Sequence, residues 1–198
     1  MSLCNIWIEE NRALVAVDTI GFADGKSVEA SKIFAIPHAS VVFAYRGQRI
    51  FFVNILLHSM LLDGADSFDL LSDRLPELIE RFVDAIRRDA PADRLQEMGC
   101  ELAMVGWSDR SVCMRGITYI FRNVDQACEV RPMESNVRIA PGVPHVPDLD
   151  TASAMLELAR RQIKYAQEFH PESPPMGGRL IVAEVKREAI SIVNIGTI

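Results

Sequence analysis

Asn5-Ile-Trp-Ile-Glu-Glu-Asn-Arg-Ala-Leu-Val-Ala-Val-Asp18-Thr19 opens the chain as a β-hairpin. Ile6 and Ile8 alternate with their neighbours, Glu10-Asn11-Arg12 offers a turn, and Ala13 to Val17 is a short apolar run of strand length. Working outward, Thr19 to Ser31 carries Gly21, Asp24 and Gly25 and reads as a loop. Lys32 to Ile36 reads as a short strand, Pro37-His38 as a turn, and Ser40 to Tyr45 as a further strand ending at Gly47.

Helical spacing takes over after these strands. From Gln48 to Leu62 the residues Ile50, Phe51, Val53, Ile55, Leu56, Met60 and Leu62 suit a well-buried helix. Its apolar surface spreads over more than one face, so Phe51-Phe52 and Leu56-Leu57 fit either a core or a subunit contact. Ser67 to Asp89 forms a second helical region, with Leu78, Ile79, Phe82, Val83 and Ile86 at helical spacing and Pro76 in its first turn. Glu101 to Trp107 and Ser111 to Phe121 return to strand character around Ser108-Asp109-Arg110, and residues 122–148 read as irregular, interrupted by Pro132, Pro141, Pro144 and Pro147. A last helix over Thr151 to Phe169 places Ala152, Met155, Leu156, Ala159, Ile163 and Ala166 on one face, with Asp150 or Thr151 as N-cap. After the loop His170 to Gly178, the strands Arg179 to Val185 and Ala189 to Val193 close the chain around Lys186-Arg187-Glu188. Runs of strands followed by runs of helices predict an α+β layered domain, not a doubly wound parallel sheet.

A length of 198 residues predicts a single domain over 1–198, and 49% hydrophobic residues supply its core. Twenty-seven acidic residues against 21 basic ones leave a net charge of −6, which disfavours nucleic acid and anionic membrane as partners. No apolar run reaches the roughly 18–20 residues that span a bilayer, and Met1 to Glu10 lacks the basic start and apolar core of a signal peptide, so a cytoplasmic location is expected. Cys4, Cys100, Cys113 and Cys128 show no CxxC spacing, and His38, His58, His145 and His170 show no ligand spacing. Neither a metal nor an organic cofactor is expected.

The run Ala13 to Thr19, Lys32-Ile33, the strand ending Phe43-Ala44-Tyr45-Arg46-Gly47, and the last helix followed by Gly177-Gly178 and two closing strands carry a resemblance. In this order of elements the chain resembles the proteasome β-subunit family, within the N-terminal-nucleophile (Ntn) hydrolases. The resemblance implies a four-layer αββα sandwich, two antiparallel sheets packed face to face and flanked by helices. It also implies a catalytic first residue whose free α-amine, with a pKa near 8, serves as base. Asp18 and Lys32 match the family's supporting carboxylate and lysine, and a backbone N–H near Arg46 or Gly47 matches its oxyanion donor.

The nucleophile lies between two residues. Ser2 precedes Asp18 by sixteen positions and is small enough to follow a removed methionine. Cys4 takes the role if Met1-Ser2-Leu3 is a leader added for expression, and a thiol is the better nucleophile near neutral pH. By residue type alone, Asp18 equally suits a strand-end cap and Lys32 a surface strand start. Pro141 and Met176 stand where the family carries serines, and Glu172 or Ser173 where it carries an aspartate. The resemblance therefore implies one of two functions: a homo-oligomeric hydrolase of peptides or small amides, or a non-catalytic structural or assembly protein of the same fold.

Overall fold

The computed structural model describes residues 2–23, 26–47, 49–61, 66–89, 99–123, 126–133, 137–144, 146, 149–173 and 175–198. Asp24, Gly25, Gln48, Leu62, His145 and Pro147 lie outside them. The hairpin that opens the chain is β1 (Cys4–Ile8) and β2 (Arg12–Asp18), closed where Glu9 N donates to Arg12 O at 2.8 Å. There follow β3 (Ile20–Ala23), β4 (Lys26–Glu29), β5 (Ile33–Ile36), a 3-10 turn (Pro37–Ala39) and β6 (Val41–Gly47). The helices α1 (Arg49–Leu61) and α2 (Phe68–Asp89) come next, then β7 (Cys100–Ser108), β8 (Cys113–Phe121), β9 (Glu129–Pro132) and β10 (Val137–Ala140). Helix α3 (Ala152–Phe169) leads to β11 (Arg179–Lys186) and β12 (Ala189–Thr197).

Among the described residues the strands form two five-stranded sheets and a ribbon, and every pairing is antiparallel. One sheet runs β10-β1-β2-β11-β12, the other β5-β6-β7-β8-β9, and β3 pairs with β4 alone. The fold class is α+β, as the residue pattern predicts.

Three local readings are corrected. The stretch Thr19 to Ser31, expected as loop, holds the β3–β4 ribbon; β4 is exposed along its whole length, so no apolar alternation marks it. Residues 122–148, expected as irregular, contain β9 and β10. Pro132 is tolerated because it ends β9, an edge strand that needs few of its N–H groups. Pro76 lies well inside α2 and not in its first turn. The helix starts earlier because Ser67 Oγ accepts the Leu70 N–H at 3.2 Å, a side-chain cap two turns before the proline.

Burial explains the apolar runs. In β2, Ala13, Val15 and Val17 enter one cluster with Ile6, Val42 and Val105, while Leu14 and Ala16 enter another with Met155, Leu158 and Val182. A strand buried on both faces reads as continuous hydrophobic sequence, which is why Ala13–Val17 shows no alternation. A third cluster joins Phe43, Tyr45 and Met104 of the second sheet to Phe51 and Ile55 of α1 and Leu75 and Ile79 of α2. Each such Leu, Ile or Phe contributes about 1.5–3 kcal/mol on burial. No helix among the described residues is long and apolar enough to cross a membrane.

Candidate active site

Asp18 ends β2 and is 0% exposed; Lys32 lies immediately before β5 and is 3% exposed. The β2 strand ends here because the following Thr19 and Ile20 N–H groups turn to a single acceptor, Gly177 O, at 3.2 and 3.1 Å. Lys32 is held by its own backbone, its carbonyl accepting Tyr45 N–H at 3.1 Å. These anchors aim two charged side chains at each other inside the protein.

Lys32 Nζ donates to Asp18 Oδ1 at 2.7 Å, to Ser2 Oγ at 3.2 Å, and to Ile20 O. An ammonium has three protons, and here each has an acceptor. Asp18 is satisfied in turn: Oδ1 also accepts the Leu3 N–H at 2.9 Å and Oδ2 the Gly177 N–H at 3.2 Å. Such complete pairing is what a buried ion pair requires, because desolvation otherwise exceeds the Coulomb gain. The net effect on Lys32 is a pKa below the usual 10.5: burial pushes it down, the Asp18 charge and hydrogen bond pull it back up, and the Arg46 guanidinium lowers it further.

Ser2 thus stands beside the Lys32 ammonium. Cys4 lies two residues on in β1, paired with Val17 and Ala140, and its side chain is 1% exposed within the cluster that includes Ile6 and Ala44. Gly47 ends β6 at φ +102°, where a Cβ would come within 2.2 Å of Gly99 O, so a backbone contact alone explains this glycine. Its neighbour Arg46 binds Glu101 at 3.2 Å, and Arg46 Nε is buried with no hydrogen-bond partner among the described residues.

The paired glycines have a structural explanation too. Gly177 N–H and C=O both hold the Asp18–Ile20 turn. Gly178 sits at φ +83° with a would-be Cβ 2.6 Å from Thr19 Oγ1, the atom that accepts the Arg179 N–H at 2.9 Å. Met176 packs against the apolar cluster beneath α3, Glu172 is exposed, and Ser173 N donates to His170 O at 3.0 Å.

Sequence reasoning missed a buried amide pair. Asn5 and Gln162, both 0% exposed, exchange hydrogen bonds of 2.6 and 3.0 Å. Gln162 Nε2 also donates to Pro141 O at 2.6 Å, and Asn5 Oδ1 accepts the Ala140 N–H at 3.3 Å. The pair ties β1, which leads back to Ser2, to α3 and to the Ala140–Pro141 turn. The available signal was a glutamine in line with Met155, Leu158, Ala159 and Ala166 on the buried side of α3. Of the histidines, His38 lies in the 3-10 turn, His58 is exposed on α1 with Nδ1 2.8 Å from Asn54 O, and His170 follows α3.

No protein-family model and no curated protein matches this sequence. Solved structures do. A Gly-1 mutant of Anbu from Hyphomicrobium sp. strain MC1 is similar with a TM-score of 0.63 at 10% identity, covering 99% of this chain and 88% of that one. Anbu (ancestral beta-subunit) from Yersinia bercovieri is similar with a TM-score of 0.64 at 13% identity, covering 98% and 87%. These findings correct the resemblance to proteasome β-subunits: the structural neighbours are Anbu proteins, and sequence identity this low carries the fold alone. The physical reason is that positive φ and close backbone contacts require glycine at Gly47 and Gly178 whatever the family, so a few shared residues do not fix one. The chain has an α+β fold shared with Anbu structures.

Proposed function

We propose that residues 1–198 form one domain that hydrolyses amide bonds with Ser2 as nucleophile, acting on a peptide or small amide and working as an assembly of identical copies. The observation that carries this reading is the triple contact of Lys32 Nζ with Ser2 Oγ, Asp18 Oδ1 and Ile20 O. A buried ammonium beside a hydroxyl stabilises negative charge that develops on oxygen, and burial, by lowering the Lys32 pKa, makes its N–H groups stronger donors. With Met1 removed, the α-amine of Ser2 takes the hydroxyl proton as Oγ attacks the carbonyl carbon. The same proton then goes to the departing amine, and water hydrolyses the resulting ester. Asp18 keeps Lys32 charged and aimed, and the Gly47 N–H is the candidate donor to the tetrahedral oxyanion. The three apolar clusters support a four-layer αββα reading, with one cluster between the sheets and one beneath the helices on each outer side. The word "beta-subunit" in the name of the Yersinia neighbour agrees with self-assembly.

A non-catalytic assembly subunit is the second reading. Pro141 favours it, since its carbonyl is taken up by Gln162 and its side chain has no hydroxyl to offer the site.

The test is intact-mass spectrometry of the protein made from its natural start, before and after an electrophile directed at N-terminal nucleophiles. A single adduct on Ser2, lost in Lys32→Ala and Asp18→Ala, supports the hydrolase. An adduct on Cys4 moves the nucleophile to that residue, and retained Met1 with no adduct sinks the catalytic reading.

A further inference from the structure

Among the described residues the first sheet ends at β12, and no other strand pairs with its outer edge. Backbone parity shows which of its groups are directed outward. Glu9 N donates to Arg12 O, so Arg12 turns its polar groups toward β1 and Ala13 turns its own toward β11. Val185, opposite Ala13, therefore faces β2, and Ile190, opposite Val185, is left with its N–H and C=O directed away from the sheet. The same alternation applies to Ile192 and Asn194. The nine residues of β12, Ala-Ile-Ser-Ile-Val-Asn-Ile-Gly-Thr, contain no charge and no proline. Ile192 and Val193 are 45% and 46% exposed.

The other sheet edges differ. β9 carries Glu129, Arg131 and Pro132, and β5 and β10 have four residues each. Charge, proline, shortness and bulges are the devices that keep an edge from pairing; β12 has none of the first three, and its one register shift, at Ile195, lies beyond the outward-facing Ile190, Ile192 and Asn194.

We infer that β12 pairs antiparallel with β12 of a second copy of this chain, across a two-fold axis that passes between the two Ile192 residues. This deepens the self-assembly proposed above and rests on it. The outward-facing residues Ile190, Ile192 and Asn194 are evenly spaced about Ile192, so each backbone donor on one strand meets an acceptor on the other. Ile192 meets its own counterpart, and Ile190 meets Asn194 of the second copy. No charge opposes a like charge, and the exposed Ile192 side chains come together on one face of a continuous ten-stranded sheet. An unrelated extended peptide would satisfy the same backbone groups, whereas a second copy also brings the exposed Ile192 against its own counterpart with no charge opposed. Because both edges are consumed, the contact closes and does not propagate into fibres.

Light scattering after size exclusion tests this on the full chain, with Ile192→Pro, Ile192→Lys and the cysteine variants Ile192→Cys and Ile190→Cys. Ile192→Pro removes an N–H that the chain itself does not use, which an edge strand accommodates. Ile192→Lys sets two like charges against each other if the proline variant folds poorly. Wild type is expected to contain an even number of copies, and both variants are expected to halve the particle mass with an unchanged circular dichroism spectrum. Mild oxidation is expected to join two chains of the Ile192→Cys variant through the introduced thiols, since directly opposed Cα atoms lie about 5.5 Å apart, and to leave chains of the Ile190→Cys variant unjoined. A wild-type monomer at every concentration overturns self-assembly altogether. An oligomer whose mass neither variant changes, with no crosslink at position 192, overturns the β12 contact and leaves assembly to another surface.

Discussion

At the scale of single residues, Lys32 and Asp18 show how a site is made from two side chains that are costly to bury. Asp18→Asn leaves the ammonium without its counter-charge, and a loss of about 3–5 kcal/mol in urea unfolding is expected from breaking one partner of a buried pair. A loss near zero would mean that solvent reaches the pair. The depressed Lys32 pKa fixes the sign of a pH effect. Between the folded value and 10.5 the unfolded chain holds more protons than the folded one, so this group's contribution to stability rises with pH across that window. Unfolding free energies of wild type minus Lys32→Met should therefore climb as pH rises toward 10.5; a flat or falling difference would refute the shift. Tyr119 gives a separate test. Its phenol is buried in the cluster under α1 and α2, and the hydroxyl has no hydrogen-bond partner among the described residues. Removing an unsatisfied buried group relieves a penalty of about 1–3 kcal/mol, so Tyr119→Phe should match or exceed wild type in melting temperature. A clear drop would reveal a partner for the hydroxyl.

At the scale of elements, the site depends on how β1, β2 and α3 are locked together. The Asn5–Gln162 pair joins the first and third of these at a point where both amides are fully buried. Gln162→Leu strands the Asn5 amide and should cost about 1–3 kcal/mol, with the Asn5→Ala and Gln162→Ala effects strongly non-additive in a double-mutant cycle. Additive effects would mean that the pair is not a unit. The turn after β2 depends on Gly178, whose positive φ and approach to Thr19 Oγ1 both reject a side chain. Gly178→Ala is expected to destabilise by about 1–3 kcal/mol, measured by thermal melts, because the αL backbone and the contact act in the same direction. Thr19→Ala in the same chain should recover only part of the loss, since Arg179 N then lacks its acceptor.

At the scale of the whole molecule, pairing of β12 would join two first sheets into one and leave the second sheets on the outside. Folding is then linked to association, so the melting temperature should rise with protein concentration in wild type and stay constant in Ile192→Pro. Concentration-independent melting in both proteins would argue that the folded chain is stable alone. In the same picture the Ser2–Lys32–Asp18 group does not touch the paired edge. Its electrophile reactivity is expected to be similar in wild type and Ile192→Pro, as a mass-spectrometric time course would show.

The residue pattern by itself determined the α+β class, the opening hairpin, helices α1, α2 and α3 and the closing hairpin, because alternation, helical spacing and capping residues are local properties. Asp18 and Lys32 are singled out by the resemblance alone, since by residue type they equally suit a strand-end cap and a surface strand start. What they do there was decided by tertiary structure, since the acceptors for Lys32 come from Ser2, Asp18 and Ile20 and the clamp on Asp18 comes from Gly177. Only the fold brings Ser2 Oγ to 3.2 Å from Lys32 Nζ and buries Cys4 at 1% exposure, near enough for its charge to act on the same ammonium. β3, β4, β9 and β10 were hidden because exposed or edge strands carry no apolar period, and their hydrogen bonds exist only when a partner strand is in place. The bond between Asn5 and Gln162 spans 157 positions. No spacing rule reaches that far, and only the packing of α3 on the first sheet creates it.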